Sequence, residues 1–597
     1  MKKYNSRGEV EGKYKWDLTE FFKNDNDFEV NYQKCESMIK ELNTYKGKLT
    51  DVTSLKEFLD KDFQTMSVIY RLLGYAYLIN DQELGNSKSI ENKQKIINLM
   101  NNFDVSTSFF SPEVLAFNKD EYETVMNAEI LSVYRTLIRE VYRFKSHILS
   151  ENEESIISEL INSSNDFEDM SSEIINSEHN YGTVKIDGEN VKITQTNYRS
   201  LMRNKDDKVR KTVRKKLYSK MGEYDVTAAS ILNSYVKTGL TNAKLHHYKD
   251  SLDEVLFGLE LPSNIYNILI KNVEARYDSL QRYYKVFKDA LKFDTLKASD
   301  LYLDISDNSH EYTVEEAQEL VLNAVKPLGE EYYQKFKAIF DNHYIDYMGY
   351  PGKKSGAYSF STFDTNSRIL MSFNGDFESV TTIAHEGGHS VNFDYINNNN
   401  PIPYREPSTL TCEIASLTNE CLLSHYMLEN GATLEEKITG IINLINVVIS
   451  NLFGAVREGT MEVAFHNHVK KGNAITADYM NKLCYKSYKK IYGDTIKLDK
   501  YAKYTWINRS HYFTNYYLFS YAFSILAALN ISKEIIAGNK EMIDKYFKFL
   551  KSGSNITVLE TYQILGFDLT DDSFYQNAID YFDEIVNNLS KLIDERK

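Results

Sequence analysis

Helix breakers are scarce in this chain. Its 597 residues include 7 prolines and 26 glycines, about 1% and 4% against usual levels of about 5% and 7%. Both residues interrupt helices, so their scarcity points to a mostly helical protein. Cysteine is scarcer still: Cys35, Cys412, Cys421 and Cys484 are the full set, with no C-x-x-C pair among them. That excludes a disulfide framework. Long uninterrupted apolar runs are missing too. Ile441–Val456 is broken by Asn443, Asn446 and Asn451, and Tyr521–Ile531 is shorter than the roughly 18 residues a membrane span needs. The opening MKKYNSRGEVEGKYKWDLTEFF carries two lysines but no apolar core, unlike a secretory leader. Positive charge is in deficit: 70 Lys+Arg against 85 Asp+Glu leave a net −15. Nucleic acids and anionic membranes select basic surfaces, so neither is expected as a partner. A soluble, cytoplasmic protein is the expectation.

Apolar and aromatic residues are present in quantity, at 42% and 13%, with 45 Tyr and 31 Phe. Such a chain can offset its ordering entropy, which excludes intrinsic disorder. From Trp16 to about Asn176 helical patterns follow one another. Leu59, Phe63, Met66, Ile69, Tyr70, Leu73 and Tyr77, for example, recur at three- and four-residue steps. Near Tyr181 the period changes. Thr183–Ile186 and Val191–Thr194 alternate around Asp187-Gly188, which predicts a β-hairpin. Helical periodicity resumes at about Tyr198 and continues into Leu245. The nine Lys/Arg residues between Arg203 and Lys220 are interrupted by Asp206 and Asp207, and their spacing suits a solvated helix face. Adjacent side chains point about 100° apart on a helix, so His246 and His247 read as surface histidines rather than one metal site.

The segment with chemistry is RILMSFNGDFESVTTIAHEGGHSVNFDYI, Arg368–Ile396. Arg368–Phe373 reads as a short strand, Asn374-Gly375-Asp376 as a turn and helix N-cap. Val380, Ile383, Ala384, Gly387 and Val391 then fall on one helical face. Inside that helix, His385-Glu386-Gly387-Gly388-His389 is an H-E-x-x-H motif. Histidines four residues apart can reach one metal ion, while Glu386 can lean over its open position and take a proton from water. Two glycines in a helix interior, each costing about 1 kcal/mol relative to Ala, imply that something packs closely on the helix. The third ligand is open. Asn392 and Tyr395 stand where a metzincin-type site needs Gly and His, so that branch is excluded. In Thr409–Leu428 a helical stripe of Leu410, Ile414, Leu417, Cys421 and His425 carries Glu413 and Glu420. They lie nearly two turns, about 10 Å, apart, so only one can bind the metal and the other can serve a histidine. Cys412 and Cys421 read as small core residues.

These residues, together with Trp16-Asp17-Leu18-Thr19, Lys353-Lys354-Ser355-Gly356-Ala357-Tyr358, Glu413-Ile414-Ala415-Ser416 and Asn419-Glu420, resemble the M3 family of zinc metallopeptidases, in particular its oligoendopeptidase F group. The resemblance covers nearly the whole chain. It implies one Zn²⁺ on His385, His389 and Glu413, with Glu386 as general base and Glu420 behind a ligand. It implies substrate and oxyanion contacts from His511 and Tyr517, with Tyr521 beside them and Phe519 where the family often has another tyrosine. It also implies peptide contacts from Gly356, Ala357 and Tyr358, and from the strand Leu370–Asn374 that contains Phe373. The implied fold is mostly α: a multi-helix, two-lobed metallopeptidase with a deep central channel and a small β-sheet next to the zinc helix. Residues 1–195 would form an N-terminal helical region ending in a hairpin, and 196–597 the M3-like catalytic region. The expected function is a zinc endopeptidase of short peptides, with no nucleic acid, membrane or required protein partner. A helical zinc carboxypeptidase and a catalytically silent peptide-binding protein are the alternatives.

Overall fold

The computed structural model describes residues 2–162, 166–176 and 180–597. Helix dominates, and among the described residues sheet is confined to one two-stranded and one three-stranded piece. Seven helices matter below: α1 (Val52–Gln82), α2 (Asp207–Met221), α3 (Glu330–Asp341), α4 (Phe377–Asn399), α5 (Ile414–Asn430), α6 (Ala455–Lys470) and α7 (Leu518–Ile536). The strands are β1 (Thr183–Ile186), β2 (Glu189–Lys192), β3 (Ile345–Met348), β4 (Tyr358–Phe360) and β5 (Arg368–Phe373). The chain forms two compact units, each assembled from three segments. One takes Met1–Ser146, Ser309–Tyr426 and Ile531–Phe567; the other takes His147–Asn308, Met427–Asn530 and Asp568–Lys597.

In the first unit, Phe21, Phe28, Phe58, Leu72, Ile138 and Leu370 share one core. The expected stripe lies on α1, with Leu59, Phe63 and Ile69 buried and the other four half-buried. The sheet order is β3-β5-β4, with β3 parallel and β4 antiparallel to the central β5. Two buried cations brace it. Arg368 donates to the Asp17 carbonyl (2.8 Å) and pairs with Glu20 (2.9 Å), tying the start of β5 to the opening segment. The Lys353 ammonium pairs with Asp346 (2.7 Å) and donates to the carbonyls of Met348 (2.9 Å) and Met371 (2.6 Å). It therefore links β3 to β5 where their register shifts between Asp346 and Met348. A buried charge is tolerated only when its bonds are made, and here they are.

In the second unit, Val213, Leu217, Leu232, Met461, Phe465, Trp506 and Tyr512 pack together. The expected hairpin is present, β1 against β2, with Asp187 at φ +50° and Gly188 at φ +91°. Positive φ at both loop residues matches the twist of the flanking strands. The basic stretch on α2 differs from the expected solvated face. Arg210 is buried against Asp300 (2.9 Å), and the buried Arg214 pairs with Asp499 (2.6 Å), so two of the nine cations point inward. His246 also departs from expectation: it is half-buried, 3.2 Å from Glu154 and bonded to the Asn242 carbonyl (2.9 Å). His247 is exposed.

Among the described residues, two helical stretches are long and apolar enough to pass for membrane spans, contrary to the expectation from uninterrupted runs. They are Leu434–Lys470, with mean hydropathy 1.7, and α7, with 1.2. More than half of each apolar window, 56% and 78%, is buried inside the protein, and a helix buried on most sides is apolar on most sides. Within Leu434–Lys470 the residues Ile449–Gly454 wind as a wider π-helical turn, immediately before α6.

Candidate metal centre and aromatic cluster

Local chemistry starts α4 where the sequence indicates. Asp376 accepts the Ser379 N–H (2.9 Å) as N-cap, and Ser379 Oγ in turn accepts the Asn374 N–H (2.9 Å). The metal motif lies two turns further on. Its glycines have a direct explanation: a Cβ on Gly387 would lie 2.0 Å from the Phe336 ring of α3. One on Gly388 would lie 2.8 Å from Ser416 Cα and 2.9 Å from the Ala415 carbonyl. Bare backbone lets an aromatic ring and the start of α5 close on the helix. Asn419 of α5 joins these elements, donating to the Ala384 carbonyl (3.3 Å) and accepting from the Tyr332 hydroxyl (3.0 Å).

This packing brings three donor atoms together. His385 Nε2 and His389 Nε2 are 3.2 Å apart, and Glu413 Oε2 is 3.4 Å from the first and 3.3 Å from the second. A tetrahedral ion with bonds of about 2.0–2.1 Å holds its donors about 3.3–3.4 Å apart. The residues therefore fit a metal ion with one coordination position left over. They form the one His/Cys/Asp/Glu group of this kind among the described residues. The electrostatics agree. Although burial pulls the His385 pKa down, Glu413 and Glu420 raise it well above the usual imidazole range. Burial would raise the Glu413 carboxyl, yet His385 and His389 hold it far below the usual carboxylate range. The pocket stabilises positive charge at its centre.

The two open carboxylates take different places. Glu413 does not lie on the helix as its stripe implies; it immediately precedes α5, where its carbonyl accepts the Leu417 N–H (3.0 Å) and its side chain is held by the Ser416 hydroxyl (3.0 Å). Glu420, on the helix proper and buried, accepts from His385 Nδ1 at 2.7 Å, which turns Nε2 toward the metal position. Glu386 is buried, and burial raises its carboxyl while the two imidazoles oppose the shift. Cys412 Sγ approaches Glu413 only to 3.9 Å, and burial pushes its thiol up to about 12. Cys421 is fully buried, as a core residue should be.

Of the expected peptide contacts, Gly356 (φ +88°) and Ala357 are exposed in the loop before β4, and the Tyr358 hydroxyl donates to Asp81 (2.7 Å). Phe373 is buried at the end of β5, opposite Met348. β4 pairs with β5 only over Arg368–Leu370. In the second unit, His511, Tyr517 and Tyr521 form a half-exposed cluster. Ring centroids are 6.1 Å apart for His511–Tyr517, 5.9 Å for His511–Tyr521 and 5.4 Å for Tyr517–Tyr521. Burial and the Arg509 cation lower the His511 pKa. Phe519 does not join them: it is fully buried against Tyr266 (4.2 Å) and over Gly459. Sequence reasoning named Ser416 and Asn419 only within the family resemblance and gave neither a role; Ser416 holds Glu413, and Asn419 joins α3, α4 and α5. Both lie three or six residues past Glu413 on α5, a helical spacing that could have identified them.

Residues 200–581 match the family described as Peptidase family M3, and residues 113–180 match Oligopeptidase F. Oligopeptidase PepF of Bacillus subtilis is 31% identical over 98% of this chain and 88% of its own. Among solved structures, a candidate peptidase of Chlamydophila abortus superposes with a TM-score of 0.91 at 25% identity, covering 98% of this chain and 100% of that one. Oligoendopeptidase-F from Enterococcus faecium superposes with a TM-score of 0.73 at 25% identity, covering 96% and 99%. Matched along nearly its full length, and carrying the two-histidine, one-glutamate centre described above, this chain belongs to peptidase family M3.

Proposed function

We propose that this protein is a zinc-dependent oligoendopeptidase that hydrolyses internal bonds of short peptides. The observation that carries the reading is the donor triangle of His385, His389 and Glu413 beside the buried Glu386. Two imidazoles and a carboxylate with one position left over are the donor set of a catalytic zinc site. A zinc ion held there would supply Lewis acidity, polarising the scissile carbonyl and acidifying water.

The chain's own residues do the remaining work. Glu420 fixes the orientation of His385 through Nδ1. Glu386, buried beside the donor triangle, takes the proton of the attacking water and delivers it to the leaving amine. His511 and Tyr517, assigned to substrate by the family resemblance, donate to the oxyanion that develops on the carbonyl. An extended peptide adds main-chain bonds at Met371–Phe373, beyond the reach of β4, with Gly356, Ala357 and Tyr358 alongside. Main-chain recognition of this kind tolerates many sequences. No nucleic acid, membrane or protein partner is needed, and four free cysteines suit a reducing cytoplasm.

The test is mass spectrometry of a pool of short peptides and one intact folded protein after incubation, alone, with a zinc chelator, and with the Glu386→Gln variant. Internal cuts confined to the peptides and lost in both controls are expected. Cuts confined to C-terminal residues would replace the reading with a carboxypeptidase. No cuts despite full zinc occupancy would replace it with a silent peptide-binding protein.

A further inference from the structure

Helix α6 carries two buried carboxylates, Glu458 and Glu462, that the chemistry above does not use. They lie one helical turn apart, on one side of the helix. Glu462, with no exposed surface, accepts the backbone N–H of Tyr516 at 2.7 Å. Glu458 pairs with Arg509 at 2.7 Å and with its own neighbour Arg457 at 2.6 Å. The two carboxylates thus grip the two ends of the segment Arg509–Tyr516, which contains His511 and leads directly into Tyr517.

What lies between the grips is packed on the same helix. Tyr512 is buried with its ring 5.3 Å from Phe465, and the Tyr516 ring lies 5.0 Å from His466. Tyr516 itself sits at φ +58°, in the left-handed region that a residue with a Cβ enters only when its surroundings hold it there. The bond from its N–H to Glu462 is such a hold. The next residue is Tyr517, so the dihedral angles of Tyr516 set the direction in which the Tyr517 ring leaves the backbone. Thr514 and Tyr517 close the segment with N–H bonds to the carbonyls of His511 (3.1 Å) and Thr514 (3.2 Å).

A carboxylate is a costly way to fill an apolar interior. Burial pushes the Glu462 carboxyl up to about 8, and its second oxygen has no partner. An apolar side chain of similar size would pack there at less cost. What a carboxyl group offers there that an apolar side chain does not is the acceptor for Tyr516.

We propose that Glu462, assisted by Glu458, is a positioning residue: it holds Arg509–Tyr516 in the shape that presents His511 and Tyr517 together to the substrate. This rests on the preceding reading, in which those two side chains touch the substrate.

The experiment measures kcat, KM, zinc content and thermal unfolding for Glu462→Ala, Glu462→Gln and Arg509→Ala, with His511→Ala and Tyr517→Phe as references. Misplacing reacting groups by about 1 Å costs up to about 10²-fold, so Glu462→Ala is expected to lower kcat about 10-fold or more with zinc content unchanged. Glu462→Gln keeps an oxygen for the Tyr516 N–H and is expected to stay within about threefold of wild type. Arg509→Ala, which removes a side chain about two-fifths exposed, should lower kcat several-fold without moving the unfolding temperature. Full kcat in Glu462→Ala, or a loss in Glu462→Gln as large as that in Glu462→Ala, overturns the proposal. If Glu462→Ala does not fold, Arg509→Ala decides: a kcat that stays lowered across the pH profile supports the proposal, whereas wild-type kcat, or a loss that only follows the titration of His511 freed from the Arg509 cation, overturns it. Unchanged turnover in both His511→Ala and Tyr517→Phe would instead overturn the underlying assignment of the cluster to substrate.

Discussion

The metal centre and the aromatic cluster are assembled by contrasting means. At the metal centre, two of the three donors come from one turn of α4, and the glycines between them let α3 and α5 close on that turn. The helix itself sets the spacing of the donors, and the supporting groups, Ser416 and Glu420, lie within seven residues of Glu413. The aromatic cluster has no such frame. His511 sits in a short turn, Tyr517 follows a residue at positive φ, and Tyr521 is on α7. Their arrangement depends on α6, some fifty residues earlier in the chain, through one polar contact at each end of the loop and the packing of Tyr512 and Tyr516 between them. Precise chemistry can thus be placed on regular structure, where geometry is inherent, or on irregular structure, where each anchoring bond matters individually.

That contrast has measurable consequences. The largest concerns the chemistry itself: Glu386→Gln should keep the fold and the metal while lowering kcat by up to about 10⁴-fold. Retained turnover with full metal content would remove Glu386 as the base. Next, Tyr517→Phe should lower kcat by about 10²-fold or more, the usual loss for one oxyanion donor, again with metal unchanged. An unaltered kcat would reduce the aromatic cluster to packing. Glu420→Ala should weaken metal binding by about 10–100-fold, the range typical of groups that orient a ligand, as read by competition with a chelator. Equal affinity would mean that α4 alone suffices to aim His385. The smallest effect is on folding. Gly388→Ala forces a Cβ to 2.8 Å from Ser416 Cα and should cost about 1–3 kcal/mol in denaturant unfolding. Gly239→Ala, in the second unit's helix Asp225–Leu245, meets nothing closer than 3.5 Å and should stabilise by up to about 1 kcal/mol.

Much of this molecule was legible in its sequence, for local reasons. The hairpin at Asp187-Gly188 needs only two residues that tolerate positive φ between alternating strands. The capped start of α4 needs only Asp376 three residues before Ser379. Two glycines inside a helix implied a close neighbour, which proved to be the Phe336 ring and the backbone at Ser416. Where the reading was less accurate, the missing partner was distant in the chain. Arg210 and Arg214 looked like solvated cations because Asp300 and Asp499 lie 90 and 285 residues away. The asparagines in Leu434–Lys470 looked like interruptions, but the stretch remains apolar enough to form a core helix.

By itself, the sequence determined the helical class, the hairpin, and a histidine pair with a glutamate poised beside it. Each of these is encoded within one or two turns of chain, where the 3.6-residue and 2-residue periods translate spacing directly into direction. Spacing left Glu413 and Glu420 equivalent as ligands; the resemblance named Glu413, and the tertiary structure shows it just before α5, level with both imidazoles, with Glu420 behind His385. Tertiary structure alone also left Phe519 in the core while grouping His511 with Tyr517 and Tyr521, and set two buried glutamates under the loop that carries them. Contacts between segments tens to hundreds of residues apart leave no period in the sequence, so only the packed fold decides them.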